Sequence, residues 1–141
     1  MPAKFVKALN GLGQMPVPFL VNDNQTILRG YILQISNGKV SAAGDAQAAG
    51  TVAGVALEDI TTTTATDADI VLVDANPQSV YSMDWTTAST NTPAIGAAYD
   101  LGANAGVFDA DDTSGGYIRV VGNVGESTAD VMVGNRFNNV G

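Results

Sequence analysis

The sequence contains no cysteine and no histidine among its 141 residues. Without cysteine there is no disulfide, no thiolate metal site and no thiol nucleophile. Without histidine the chain lacks the usual general base near neutral pH and the commonest metal ligand, and it cannot build a Ser-His-Asp triad. A third absence is one of charge sign. Between Lys39 and Arg119 there is no basic residue, while residues 40–118 carry eleven acids. The first 39 residues run the other way, with Lys4, Lys7, Arg29 and Lys39 against Asp23 alone. The net charge of −8 is therefore carried by the middle of the chain, a split that assigns body and leader different tasks. An acidic body repels phosphate backbones, and six scattered bases make no groove for counterion release, so nucleic acid is not an expected partner. Long apolar runs are missing too. None approaches the ~20 residues a membrane span needs, and Phe5-Val6 is followed by Lys7 and Asn10-Gly11 rather than by a signal-peptide core. Gly11-Leu12-Gly13 lacks the preceding strand and the third glycine of a dinucleotide loop. No cofactor, metal or catalytic activity is expected.

What is present is turn chemistry. Glycine accounts for 16 residues and charged residues for only 14%, so the surface must be built from small and uncharged polar side chains, as in secreted, surface and assembly proteins. Short apolar stretches recur at roughly ten-residue spacing between Gly/Asn turns, which predicts an all-β chain folded as a small antiparallel barrel or sandwich. Ser36-Asn37-Gly38 is expected as a hairpin turn between strands at 31–35 and 39–41, because Asn-Gly supplies the positive-φ positions. Tyr81, Met83 and Trp85 alternate with Ser82 and Asp84, the period of a half-buried strand. Residues 70–73, apolar at every position, are expected as a central strand buried on both faces, and the Thr run at 61–64 as a strand or extended edge.

The leader reads differently. Phe5, Leu9 and Leu12 fall at i, i+4 and i+7, the spacing of a short amphipathic helix stopped at Gly11 or Gly13. Met15-Pro16-Val17-Pro18 must be extended. Residues 1–18 are therefore expected as an N-terminal arm, and residues 19–141 as a single β domain.

Four constellations invite a chemical reading, and each has a plainer one. Asp109, Asp111 and Asp112 form an oxygen-rich loop suited to calcium, but an EF-hand register started at Asp109 puts Val120 where the bidentate glutamate belongs; an acidic turn explains the loop as well. Asp112-Thr113-Ser114-Gly115 has one residue too many for an aspartic-protease motif and no second copy. Glu58-Asp59 and Asp67-Ala68-Asp69 are carboxylate pairs of glycosidase type, with nothing to place them in a cleft. Tyr81 and Trp85 on one strand face offer a sugar platform, or equally a core.

Residues 24–33 (Asn-Gln-Thr-Ile-Leu-Arg-Gly-Tyr-Ile-Leu), 37–40 (Asn-Gly-Lys-Val) and 51–59 (Thr-Val-Ala-Gly-Val-Ala-Leu-Glu-Asp), followed by 93–101 and 116–120, resemble the head decoration (capsid cement) proteins of tailed bacteriophages. The resemblance spans roughly residues 24–121; residues 1–23 carry no motif of that family. It implies a small β-tulip-like barrel that sits as a homotrimer on the outer surface of the expanded capsid and clamps neighbouring major capsid subunits, with no enzymatic role. It also implies a terminal arm that contacts the shell, here through Lys4, Phe5, Lys7, Leu9, Leu12, Pro16 and Pro18. A different phage β domain (tail tube or fibre tip) and a sugar- or calcium-binding module are the alternatives.

Overall fold

The computed structural model describes residues 3–44, 47–48, 50–66, 68–86 and 90–138, and these form thirteen strands and no helix. The all-β expectation holds, and the barrel is realised twice.

The first barrel closes through β2 (Pro16–Val21), β5 (Lys39–Ala42), β4 (Ile32–Ser36), β6 (Val52–Ala56) and β8 (Ile70–Asp74), in that order around the ring. The β4–β5 hairpin turns at Asn37 and Gly38, with φ of 52° and 77°, the pair of positive values that matches strand twist. Its interior holds Val21, Leu33, Val40, Ala53, Ala56, Val71 and Val73. Two short strands, β3 (Thr26–Ile27) and β7 (Ile60–Thr61), pair with each other and add the fully buried Ile27 to that core. The Thr run contributes only Thr61 to a strand; Thr62 instead donates its hydroxyl to the Asn22 carbonyl at 2.6 Å.

The second ring runs β9 (Ser79–Trp85), β11 (Val107–Asp109), β10 (Ala98–Leu101), β12 (Ile118–Gly122) and β13 (Thr128–Val133), and the pairing of β13 with β9 closes it. Strands β12 and β13 alternate strictly, with Ile118, Val120, Ala129, Val131 and Val133 inward. Tyr81 and Met83 face the same core, with Trp85 packed against it, as the alternation of that strand predicts. Two pairings, β2 with β5 and β9 with β11, are parallel.

Strand β6 explains how two barrels fit into one short chain. All five of its residues are buried. Ala53 and Ala56 belong to the first core, Val52 and Val55 to the second, so β6 is a wall shared by both. Between them Gly54 adopts φ of +151°, and a Cβ there would lie 2.1 Å from the Asp74 carbonyl oxygen. Only a residue without a side chain permits this approach.

Two expectations are corrected. Strand β8 is not buried on both faces: Val71 and Val73 point in, while Ile70 and Leu72 are exposed, because a barrel strand away from the shared wall has solvent outside. The leader is not helical either. Lys4–Ala8 is strand β1, paired antiparallel with β9 through a bulge at Val6. A helix this short does not nucleate in water, whereas β9 offers a ladder to join. Gly11 and Gly13, at φ of 74° and 70°, turn the chain back instead of ending a helix.

Candidate functional site

The residues named as contacts from the sequence fall into two groups. Lys4, Phe5 and Lys7 stand exposed on β1. Leu9 opens the turn after that strand, its amide donating to the Gln78 carbonyl at 3.0 Å. Leu9 is 57% and Leu12, in the turn that follows, 70% exposed. Pro16 and Pro18 lie instead in the wall of the first barrel, opposite Asp74 and Leu72 of β8. Bonds from Val21 to Asp69 and from Ala75 to Met15 set the ladder phase, so both proline nitrogens face away from β8. On that side β5 pairs only from Leu20 onward. The prolines thus occupy positions where no ladder donor is needed.

A buried polar network keys this leader to the body. Asp74 is wholly buried. Its Oδ1 accepts the amides of Met15 at 2.9 Å and Asn76 at 3.0 Å, and its Oδ2 accepts the Tyr81 hydroxyl at 2.6 Å. Gln14 Nε2 donates to the same Tyr81 oxygen at 3.1 Å. Asn10 and Asn76 exchange side-chain amide bonds at 3.0 Å each way, and Asn76 Nδ2 also donates to the Gly13 carbonyl at 2.7 Å. Arg136, 2% exposed, donates from Nε to the Val133 carbonyl and from Nη1 to the Asp74 carbonyl; its Nη2 has no partner among the described residues. Burial pushes the Tyr81 phenol well above its ordinary range, reinforced by its bond to the Asp74 carboxylate. Burial likewise lowers Arg136, with the Asp74 charge opposing. Since Asp74 ends a strand of the first barrel and Tyr81 belongs to the second, the network joins both barrels and the leader at one point. Phe5 closes over it, its ring edge-on to Tyr81 at 5.7 Å and 73°.

Beside β1 lies a groove of about 530 Å³. Lys4 and Phe5 line it from β1, and Arg29, Gly30, Ala56 and Leu57 from the rim of the first barrel. Two of the six basic residues therefore meet at one cleft, with Lys7 further along the same strand. One carboxylate is engaged nearby: Asp59 accepts the Arg29 amide at 2.6 Å.

In the other candidate constellations the described carboxylates accept backbone amides, some within their own turn and some from distant segments. Asp111 accepts the amides of Thr90 at 2.7 Å and Asn91 at 2.8 Å, which hold its carboxyl below the usual range. Asp109 accepts the Asp111 amide and Asp112 the Ser114 amide. Glu58 accepts the Leu72 amide and Asp69 the Thr66 amide; Asp67 lies outside the described residues. No group of three potential metal-ligating side chains occurs among the described residues. Tyr81 is buried under Phe5, so the Tyr81–Trp85 face presents no open platform.

Sequence reasoning missed Asp74, Gln14, Asn76 and Arg136, and the acidic body is not uniformly a solvated surface, since Asp74 and Asp100 are buried. Arg29 was legible as part of the basic leader, but its meeting with Lys4 was not. The sequence matches no protein-family model and no curated protein.

Proposed function

We propose that this chain is a structural virion component: a capsid decoration protein that binds as a homotrimer to the outer surface of a phage head and stabilises the expanded shell by bridging neighbouring major capsid subunits. One observation carries the reading. The leader displays Phe5, Val6, Leu9 and Leu12, together with Lys4 and Lys7, on the outside of a body that closes its own strands into two rings. Exposed apolar side chains concentrated on one segment mark an interaction surface. The buried bonds that hold this segment fix it as a preformed contact, and the reading needs no bond-making chemistry. The acidic body then faces solvent and keeps a coated particle dispersed.

The test uses expanded, empty shells of the phage that encodes the chain, mixed with the full chain and sedimented, alongside light scattering of the free protein. The expected result is saturable binding, a free species of three copies, and weaker binding for Leu9→Ser and Leu12→Ser at unchanged fold. A free monomer that stays in the supernatant at every concentration overturns the proposal.

A further inference from the structure

We infer that the hollow between Arg119 and Arg136, where β10, β12 and β13 meet the chain at 134–136, binds a compact oxyanion of the carboxylate or phosphate class. None of its lining residues belongs to the leader, and the site needs nothing of the capsid reading.

The hollow measures about 220 Å³. Arg119 stands exposed on β12, opposite Ala98 of β10 on one flank and Met132 of β13 on the other, and all three line the space together with Arg136. Gly116 and Gly134 border it without putting a side chain into it. The volume falls below the ~300–1,000 Å³ typical of sites for drug-sized ligands, so a small ion fits and a larger molecule does not.

Charge selects the occupant. In a chain of fourteen acids and six bases, this hollow has two bases in its lining and no acid. Asp130, the one acid of β13, accepts the Asn123 side-chain amide at 2.7 Å instead. Arg119 gives Nη1 to the Gly96 carbonyl, which leaves Nε and Nη2 as a fork that matches two oxygens of one anion. Arg136 is 2% exposed, and the bonds from its Nε and Nη1 go to neutral carbonyls. Its Nη2 has no partner among the described residues. A buried donor without an acceptor points to an ion or a water close by. Burial lowers the Arg136 pKa against the opposing pull of Asp74, so a further negative charge nearby relieves it. Arg119 therefore supplies the contacts, and Arg136 adds its charge from within the wall.

The experiment follows the ¹⁵N-labelled full chain by NMR and by thermal melting, at one ionic strength set with sodium chloride, sodium acetate or sodium phosphate. Acetate and phosphate are expected to move the Gly116, Arg119 and Gly134 amides and the Arg136 Nε–H signal along a saturating curve, with affinity about tenfold above that of chloride, and to raise the melting midpoint. Arg119→Gln, at an exposed side chain, is expected to melt as the parent does in chloride and to lose about tenfold in affinity for both anions. Arg119→Lys, which keeps the charge without the fork, is expected to lose about threefold. Shifts that do not saturate, an equal response to chloride, or unchanged affinity in Arg119→Gln overturn the inference and leave water as the occupant. Co-sedimentation then separates two sources of the anion: phosphate that displaces the chain from shells identifies a carboxylate carried by the shell, and phosphate that leaves shell binding intact identifies a free ion. Anion capture by a chain that ignores shells supports this site while removing the capsid reading.

Discussion

Replacing Asp74 tests whether one buried carboxylate holds the two barrels and the leader together. The side chain accepts three hydrogen bonds, from the Met15 and Asn76 amides and the Tyr81 hydroxyl, and is fully buried. Asp74→Ala leaves all three donors without an acceptor and removes the nearest carboxylate acting on the buried Arg136. Hydrogen bonds to a charged group contribute about 1.5–3 kcal/mol each. Bonds sharing one acceptor do not add fully, and Arg136 bonds the Asp74 backbone carbonyl rather than its carboxylate, so the charge contributes only at longer range. A loss of about 4–6 kcal/mol is expected, a large share of the ~5–15 kcal/mol that stabilises a typical domain. Asp74→Asn keeps an acceptor for the two amides and can donate to the Tyr81 oxygen, so about 2–3 kcal/mol is expected from the lost charge. The assay is urea unfolding followed by tryptophan fluorescence and by circular dichroism, with a double-mutant cycle to Tyr81→Phe. The midpoint should fall, and the coupling between the two positions should be about 1 kcal/mol or more. A loss under about 1.5 kcal/mol for Asp74→Ala, or no coupling to Tyr81, refutes the reasoning.

Three further outcomes are expected. Gly54→Ala should destabilise by about 3 kcal/mol or more, since its Cβ would sit 2.1 Å from a backbone oxygen at φ of +151°; an unchanged denaturation midpoint contradicts the shared-wall geometry. The Tyr81 phenol is raised in the folded state, so the stability it protects is intact below its unfolded value near 10 and declines as pH rises beyond it. Wild type should therefore lose stability between pH 10 and 11.5 more steeply than Tyr81→Phe, and parallel curves refute the assignment. Leu12→Ser, at a side chain 70% exposed, should change folding stability by less than about 0.5 kcal/mol while weakening shell binding several-fold in co-sedimentation; a large drop in stability would place Leu12 in the core instead.

What the sequence shows and what it hides divide along the range of the interactions. The Asn37-Gly38 turn is local, and two positive-φ residues specify it wherever it occurs. The inward face of β9 follows from alternation alone. Strand β8 is harder, because Ile70-Val71-Leu72-Val73 is apolar at every position and only the ring decides which face meets solvent. Strand β1 is harder still: Phe5, Leu9 and Leu12 satisfy helical spacing, and the competing ladder comes from β9, more than seventy residues downstream. Asp74 and Arg136 are 62 residues apart, so neither looks buried in the sequence. The small residues of 52–57 stand in plain view in the sequence, but their role as a wall between two cores depends on the topology.

Under the proposed function, the packed leader changes the energetics of docking. A loose arm would lose about 1–2 kcal/mol per residue of backbone entropy on binding, which cancels most of what its apolar side chains return. Here that ordering has already happened on folding, driven by β1 pairing, the Phe5–Tyr81 contact and the Asp74 network. Binding then draws on what remains exposed. Phe5, Val6, Leu9, Leu12 and Met15 together leave roughly two and a half side chains' worth of apolar surface open, about 4–7 kcal/mol if fully covered. Association of one copy costs about 4–15 kcal/mol in lost rigid-body freedom, so a single leader holds weakly even when preformed. Linked copies convert the second and third contacts into intramolecular ones, which raises avidity without new contacts. A fixed leader and a multivalent assembly therefore solve different halves of one problem: the first removes the ordering cost within a copy, and the second divides the rigid-body cost among copies.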